Sequence, residues 1–312
     1  MRRATNADPP AYCALIESGE LDRRAALGAK RLTRCDLCPR RCGVDRTAGE
    51  RGICGICARA RVASHGPHHG EEAVLRGRGG SGTVFFGGCS LNCRFCQNTD
   101  ISHRPAGSEV EPAELGAAFL ELQDLGCHNI NLVTPSHVVP QVLAAVSIAA
   151  GRGLRLPLVY NTGGYDAVET LALLDGVVDV YMPDVKLLDP ALAEQYLTAR
   201  DYPEAVRAGV AAMHSQVGDL VVDGDGLAVR GVLVRHLVMP GLAEESAKVF
   251  TWLARQSPDT FVNVMNQYRP CAEVLQGDEE LQAIARRVTR DEFAAALEAA
   301  HAAGLRRAAR AT

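Results

Sequence analysis

Short apolar runs recur along most of the chain, and each is followed by a stretch whose apolar positions fall at helical spacing. The runs occupy residues 83–86, 130–133, 156–160, 177–181, 232–236 and 261–265, and helical patterns cover 112–125, 138–151, 166–174, 190–213 and 243–256. Strand then helix, repeated about six times, predicts parallel strands joined by crossover helices. The expected class is α/β, a partial (β/α)6 TIM-like barrel over residues 80–275. Each run ends in polar or turn-forming residues, such as Gly87-Gly88-Cys89, Thr134-Pro135-Ser136-His137 and Asn161-Thr162-Gly163-Gly164. In parallel α/β folds the carboxyl ends of the strands are where chemistry sits.

The flanks read differently. Residues 11–31 form a short amphipathic helical pattern, and 279–310 read as one or two closing helices rich in Ala and Arg. Residues 35–57 are dense in Cys, Gly and Arg with almost no apolar periodicity, so a metal has to hold that segment together. The expected division is a metal-binding extension (1–79), the barrel (80–275) and closing helices (276–312).

Composition narrows the class. The 312 residues are 47% hydrophobic and 22% charged with a net charge of -4. The scattered, balanced charges lack the basic stripe that nucleic-acid binding needs. The longest apolar stretches, such as 138–150, are interrupted and too short to span a bilayer, and residues 1–10 lack the apolar core of a signal peptide. The expectation is a cytoplasmic protein without nucleic-acid or membrane partners. Eleven cysteines then call for a chemical reason. Clustered cysteines in such a chain point to metal or catalysis rather than disulfides.

Two groups stand out. Cys89, Cys93 and Cys96 lie within eight residues directly after the first run. Three thiolates can hold an iron–sulfur cube and leave one iron without a protein ligand. A structural zinc site would want four ligands, and the nearest histidine is His103. The second group, Cys35, Cys38, Cys42 and Cys54 with Cys57 beyond, has enough thiolates for a closed zinc site or a second iron–sulfur cluster. Its spacing leaves the two options open.

The spacing C-x3-C-x2-C with Phe95 before the third cysteine resembles the signature of the radical S-adenosylmethionine superfamily. From about Cys35 to Arg269 the chain is most similar to the branch related to pyruvate formate-lyase activating enzyme, through Gly88 to Asn98, Met182 to Lys186 and Arg235 to Gly241. That resemblance implies a [4Fe–4S] cluster on Cys89, Cys93 and Cys96. It also implies reductive cleavage of S-adenosylmethionine to a 5′-deoxyadenosyl radical and a flavodoxin- or ferredoxin-like reductant. It places Phe95 near the adenine and Lys186 and His236 on the cofactor, with Asp184, Asn161 and Thr162 in a polar pocket. Where many members carry Gly-Gly-Glu, this chain has Thr134-Pro135-Ser136-His137, so Thr134 and Ser136 are expected to replace the amino-group contact. Two uses of the radical follow. One is hydrogen abstraction from a small molecule, such as epimerisation of a sugar or natural-product intermediate, with Cys271 returning hydrogen. The other is activation of a glycyl radical protein partner. Cys271 as a buried small hydrophobe is the plainer alternative.

Overall fold

The computed structural model describes residues 9–104 and 106–309. The reading of residues 1–10 as lacking a signal sequence therefore lies, apart from Pro9 and Pro10, outside the described residues. The strands are β1 (Ala60–His68), β2 (Ser81–Phe86), β3 (Ser108–Val110), β4 (Ile130–Val133), β5 (Leu158–Thr162), β6 (Val180–Pro183), β7 (Val221–Val222), β8 (Ala228–Leu237), β9 (Phe261–Met265) and β10 (Arg307–Ala309). They form one mixed sheet in the order β10-β9-β8-β6-β5-β4-β2-β1-β3, with β7 paired to β8. From β2 to β10 the sheet is parallel, while β1 and β3 add antiparallel strands beyond β2. The flanking segments thus supply strands at both edges. Among the described residues no helix is long and apolar enough to cross a membrane.

The six apolar runs become β2, β4, β5, β6, β8 and β9. Several helices are shorter than their patterns suggested. The stretch 190–213 is two helices, Pro190–Leu197 and Tyr202–Val217. The first is capped by Asp189, whose carboxylate accepts from Ala191 and Leu192 N–H, and it ends at Thr198 in the left-handed region (φ 54). Residues 11–31 likewise divide at Gly19 into Tyr12–Glu17 and Glu20–Lys30. Of the expected closing helices, Arg290–Ala302 is helical, and the chain then pairs with β9 as β10.

Successive strand residues face opposite sides of a sheet. One side carries Ile130, Leu132, Leu158, Tyr160, Val232, Val234 and Val262, which pack under the helices with Phe119, Leu122, Leu143, Phe250 and Leu253. The other side carries Thr83, Asn131, Val159, Asn161, Val180, Met182, Leu233, Arg235, Phe261 and Asn263. The segment after β1 occupies this inner side. Leu75 (1% exposed) packs with Val159, Val180, Met182 and Leu233. Asn129, just before β4, donates to Leu75 O (2.8 Å), while Asn263 on β9 donates to Glu72 (2.8 Å). Strands β4 and β9 are separated in the sheet by β5, β6 and β8. Reaching both from residues 72–75 requires the sheet to curl around this segment. The apolar layer around Leu75 closes one end of the enclosed space, leaving polar side chains toward the strand carboxyl ends.

Candidate active site

Cys89, Cys93 and Cys96 lie on the loop leaving β2, at the carboxyl end of the sheet, and none forms a disulfide. Burial pushes the Cys93 thiol up to about 12, opposed chiefly by the nearby Lys186 ammonium. Burial also raises Cys89, with Cys93 and Cys96 adding to the effect. Asn98 N–H points to Cys96 Sγ (3.4 Å) and Leu91 N–H to Cys89 Sγ (3.4 Å). The loop is pinned from outside by Arg94, which pairs with Glu273 (2.7 Å), Glu280 (2.9 Å) and Asp278. Phe95 is buried against Tyr268, ring centroids 6.1 Å apart. Cys271 sits beside this loop, its Sγ 3.5 Å from Phe95 O and 3.1 Å from Arg269 O.

Next to the loop lies a charged triad. Asp184 accepts from Lys186 Nζ (2.6 Å) through one oxygen and from Arg235 Nε (2.9 Å) through the other. Arg235 Nη2 also donates to Asn161 Oδ1 (2.8 Å). Burial opposes ionisation of Asp184, but the two cations outweigh it and hold the carboxyl below its ordinary value. Asp184, Lys186 and Asn161 are thus brought together beside Cys93. Thr162 and Ser136 lie behind them in a hydrogen-bonded knot. Ser136 Oγ is 3.0 Å from Thr162 Oγ1, which donates to Asp166 (2.6 Å). Thr134 stands at φ 61, the strained left-handed region for a residue other than Gly, and its N–H donates to Asn161 O (2.8 Å).

His236 departs from the sequence expectation. The alternation of β8 turns it outward, where Nδ1 lies 2.7 Å from Val185 O, Nε2 lies 2.9 Å from Ser246 Oγ, and the ring meets Phe250 edge-on. Burial lowers it to about 4, so it is a neutral packing histidine on the helix side. Arg235, its neighbour, faces inward beside Asp184 and Asn161, on the side where the resemblance would have His236 meet the cofactor.

The N-terminal cysteines form a compact knuckle. Cys35 N–H donates to Val44 O and Gly43 N–H to Cys35 O, both 2.9 Å, with Arg41 (φ 40) and Gly43 (φ 68) in the left-handed region. Cys35, Cys38, Cys42 and Cys54 line one small cavity with Arg46, Ser90 and His137. Cys57 turns away, toward Arg51 Nε (3.1 Å) and Gly49 O (3.3 Å). A Cβ at Gly52 would overlap Cys42 Sγ, and one at Gly88 would overlap Cys54 O. The knuckle therefore touches the Cys89 loop directly. Arg46 is 1% exposed; it donates to Cys57 O (2.9 Å) and His137 O (2.7 Å), with Nη1 3.9 Å from Cys35 Sγ. Its Nη2 has no hydrogen-bond partner, and it makes no ion pair with a carboxylate among the described residues. No three His, Cys, Asp or Glu side chains among the described residues converge at single-ion spacing.

Sequence reasoning passed over Arg46, Arg94, Arg235 and the Glu71–Glu72 pair on the inner segment. The sequence signal for Arg235 was its place one residue before His236, on the opposite face.

A model of the radical SAM superfamily matches residues 83–252. An uncharacterized protein of Methanocaldococcus jannaschii, MJ0674, is 30% identical over 293 residues, spanning 91% of this chain and 79% of that protein. Among solved structures, Streptococcus suis SuiB bound to its precursor peptide SuiA aligns with a TM-score of 0.43 at 13% identity, over 64% of this chain and 40% of SuiB. The Kitasatospora setae radical S-adenosylmethionine methyltransferase TsrM, with cobalamin and a [4Fe–4S] cluster bound, aligns at 0.44 and 17% identity, over 60% of this chain and 37% of TsrM. The chain therefore spans about two fifths of those solved chains. The matched segment begins inside β2, runs through the Cys89 loop and the Asp184–Lys186–Arg235 triad, and covers more than half of the sequence: the chain belongs to the radical SAM superfamily.

Proposed function

We propose that this chain is a radical S-adenosylmethionine enzyme acting on a small polar molecule within a partial (β/α)6 barrel, with Cys89, Cys93 and Cys96 holding the [4Fe–4S] cluster. The observation that carries the reading is the convergence of these three thiols with Lys186 and Asp184 at the strand ends. Soft thiolates are the donor set iron–sulfur clusters take, and three of them leave one iron open. When bound, the cluster and S-adenosylmethionine together supply a 5′-deoxyadenosyl radical able to take hydrogen from an unactivated C–H bond.

The protein's part is positioning and charge. Lys186 offsets the thiolate charge beside Cys93, and Asp184 holds Lys186 and Arg235 in fixed rotamers. Thr134 and Asn161 are the polar groups nearest the strand ends for the cofactor's methionine moiety, and the Ser136–Thr162–Asp166 knot fixes their turn. Phe95 lends an apolar wall. Cys271, beside Phe95, is suited to return hydrogen, which supports epimerisation over simple abstraction.

The cavity shared by Cys35, Cys38, Cys42 and Cys54 supports a second metal centre. A buried guanidinium without a carboxylate is costly, and Cys35, Cys38, Cys42 and Cys54 drawn as thiolates around a metal centre would supply the missing negative charge beside Arg46. Contact between this knuckle and the Cys89 loop suits passage of an electron from a flavodoxin- or ferredoxin-like donor, in a cytoplasmic setting. Of the division 1–79, 80–275 and 276–312, the first segment would carry the metal knuckle together with β1 and the inner segment that fills the barrel, the second the radical site and the third the closing elements.

The test is turnover in deuterated buffer with candidate amino sugars and polyols, followed by mass spectrometry. Solvent deuterium at one carbon of a small molecule, abolished in Cys271→Ala while 5′-deoxyadenosine still forms, is the expected result. A label found on a glycine of a partner protein would replace this reading with an activase.

A further inference from the structure

The inner polar layer holds a group of side chains that the cofactor reading does not use. Glu71, Glu72, His68, Arg235 and Asn263, with residues 265–267, line a pocket of about 340 Å³, at the small end of the range for ligand sites. The two glutamates are nearly buried: Glu71's side chain is 10% exposed and Glu72 is 6% exposed. Burial raises the Glu71 carboxyl, partly offset by Arg235 and reinforced by Glu72. Glu72 Oε1 accepts from Asn263 (2.8 Å), but Oε2 of both glutamates lacks a partner. Asn131, 0% exposed and facing the same inner layer, makes no hydrogen bond of ordinary geometry, though its side chain bears on Glu71 and lowers that carboxyl. Arg235, the obvious counter-ion, is already held by Asp184 and Asn161.

Left over are two carboxylate oxygens and both polar atoms of the Asn131 amide, one acceptor and one donor. Buried polar atoms in native proteins find partners, and an unpaired one costs about 1–3 kcal/mol. Two adjacent carboxylates in such a place need a proton or a cation between them. An ammonium group offers three donors, a positive charge and no acceptor, which suits the two free carboxylate oxygens in charge and hydrogen bonding. The pocket also borders the radical loop, since Gln97, next to Cys96, donates to Gln267 O (3.3 Å). Glu71, Glu72 and Asn263 lie outside the matched residues 83–252.

We propose that this pocket is the substrate site and that it takes a small molecule bearing a primary ammonium group, held by Glu71 and Glu72. The assignment rests on the small-molecule reading above, and its test is binding rather than turnover. Anaerobically reconstituted protein with S-adenosylmethionine is titrated calorimetrically with ethanolamine, putrescine and glucosamine, each against its hydroxyl counterpart (ethylene glycol, 1,4-butanediol, glucose). At least one amine should bind about tenfold or more tightly than its counterpart, and Glu71→Gln or Glu72→Gln should weaken it about 30-fold. Equal binding of the hydroxyl compounds, no binding by any amine, or displacement of the amine by manganese or calcium would overturn the assignment. Cofactor cleavage is measured on the same preparation. Its failure would count against the radical reading alone, because the amine comparison does not depend on it.

Discussion

Replacing Arg46 with Met separates a metal-bound knuckle from a metal-free one. In both states the variant loses the hydrogen bonds to Cys57 O and His137 O, so that loss cancels when the states are compared. The charge does not cancel. With Nη1 3.9 Å from Cys35 Sγ, one unit of thiolate charge at an effective dielectric near 20 is worth about 4 kcal/mol. A four-thiolate centre would carry that charge when metal is bound, whereas burial raises the free Cys38 and Cys54 thiols and favours their neutral forms. Arg46→Met should therefore weaken metal retention by about three orders of magnitude. The assay is chelator competition, made in a Cys89→Ala, Cys93→Ala, Cys96→Ala background so that only the knuckle's metal is counted. Retention equal to that of the parent would refute the anionic centre and leave Arg46 a buried structural cation.

Other outcomes follow from the same geometry. Leu75→Ala should cost about 2–5 kcal/mol in urea unfolding, because Leu75 fills the inner apolar layer; a cost below about 1 kcal/mol would mean that the segment after β1 is not seated there. Arg94→Gln removes three acidic partners and should speed hydrogen exchange across residues 272–284 while shifting the unfolding midpoint little. Unchanged exchange there would contradict its role as a clamp. Binding of an amine requires an ionised Glu71, whose carboxyl burial raises to about 7, with Glu72 adding to the rise and Arg235 and Asn131 opposing it, and with His68 facing it from β1. Because the proton must leave on binding, affinity should level off above pH 7 and fall as pH drops below it, by about tenfold per unit. A flat profile between pH 5 and 7 would oppose the assignment.

The apolar runs predict the parallel strands because those strands are buried on both faces and read as unbroken hydrophobic stretches. The same property hides which face each residue takes, so nothing in the run itself tells that His236, placed on the cofactor by the resemblance, faces the helices while Arg235 faces inward. β1 was missed for the opposite reason. Its second half, Ser64 to His68, is half-exposed and carries His and Pro, so no apolar run marks it. β10 has three residues, two of them Ala, and exists only because β9 offers it an edge. The Cys89 loop was legible because its chemistry is local in sequence. The Glu71–Glu72 pocket was not, since its members come from residues as far apart as 68 and 267 and meet only when the sheet curls.

The central claim is that Cys89, Cys93 and Cys96 support radical formation. Its most direct test compares the anaerobically reconstituted, reduced chain with its Cys89→Ala, Cys93→Ala and Cys96→Ala variants, each given S-adenosylmethionine, with 5′-deoxyadenosine, iron and zinc quantified together. The account predicts 5′-deoxyadenosine from the parent, none from any variant, and metal retained at the N-terminal knuckle in all four proteins. Cleavage at the parent rate by any one of the three variants would contradict it.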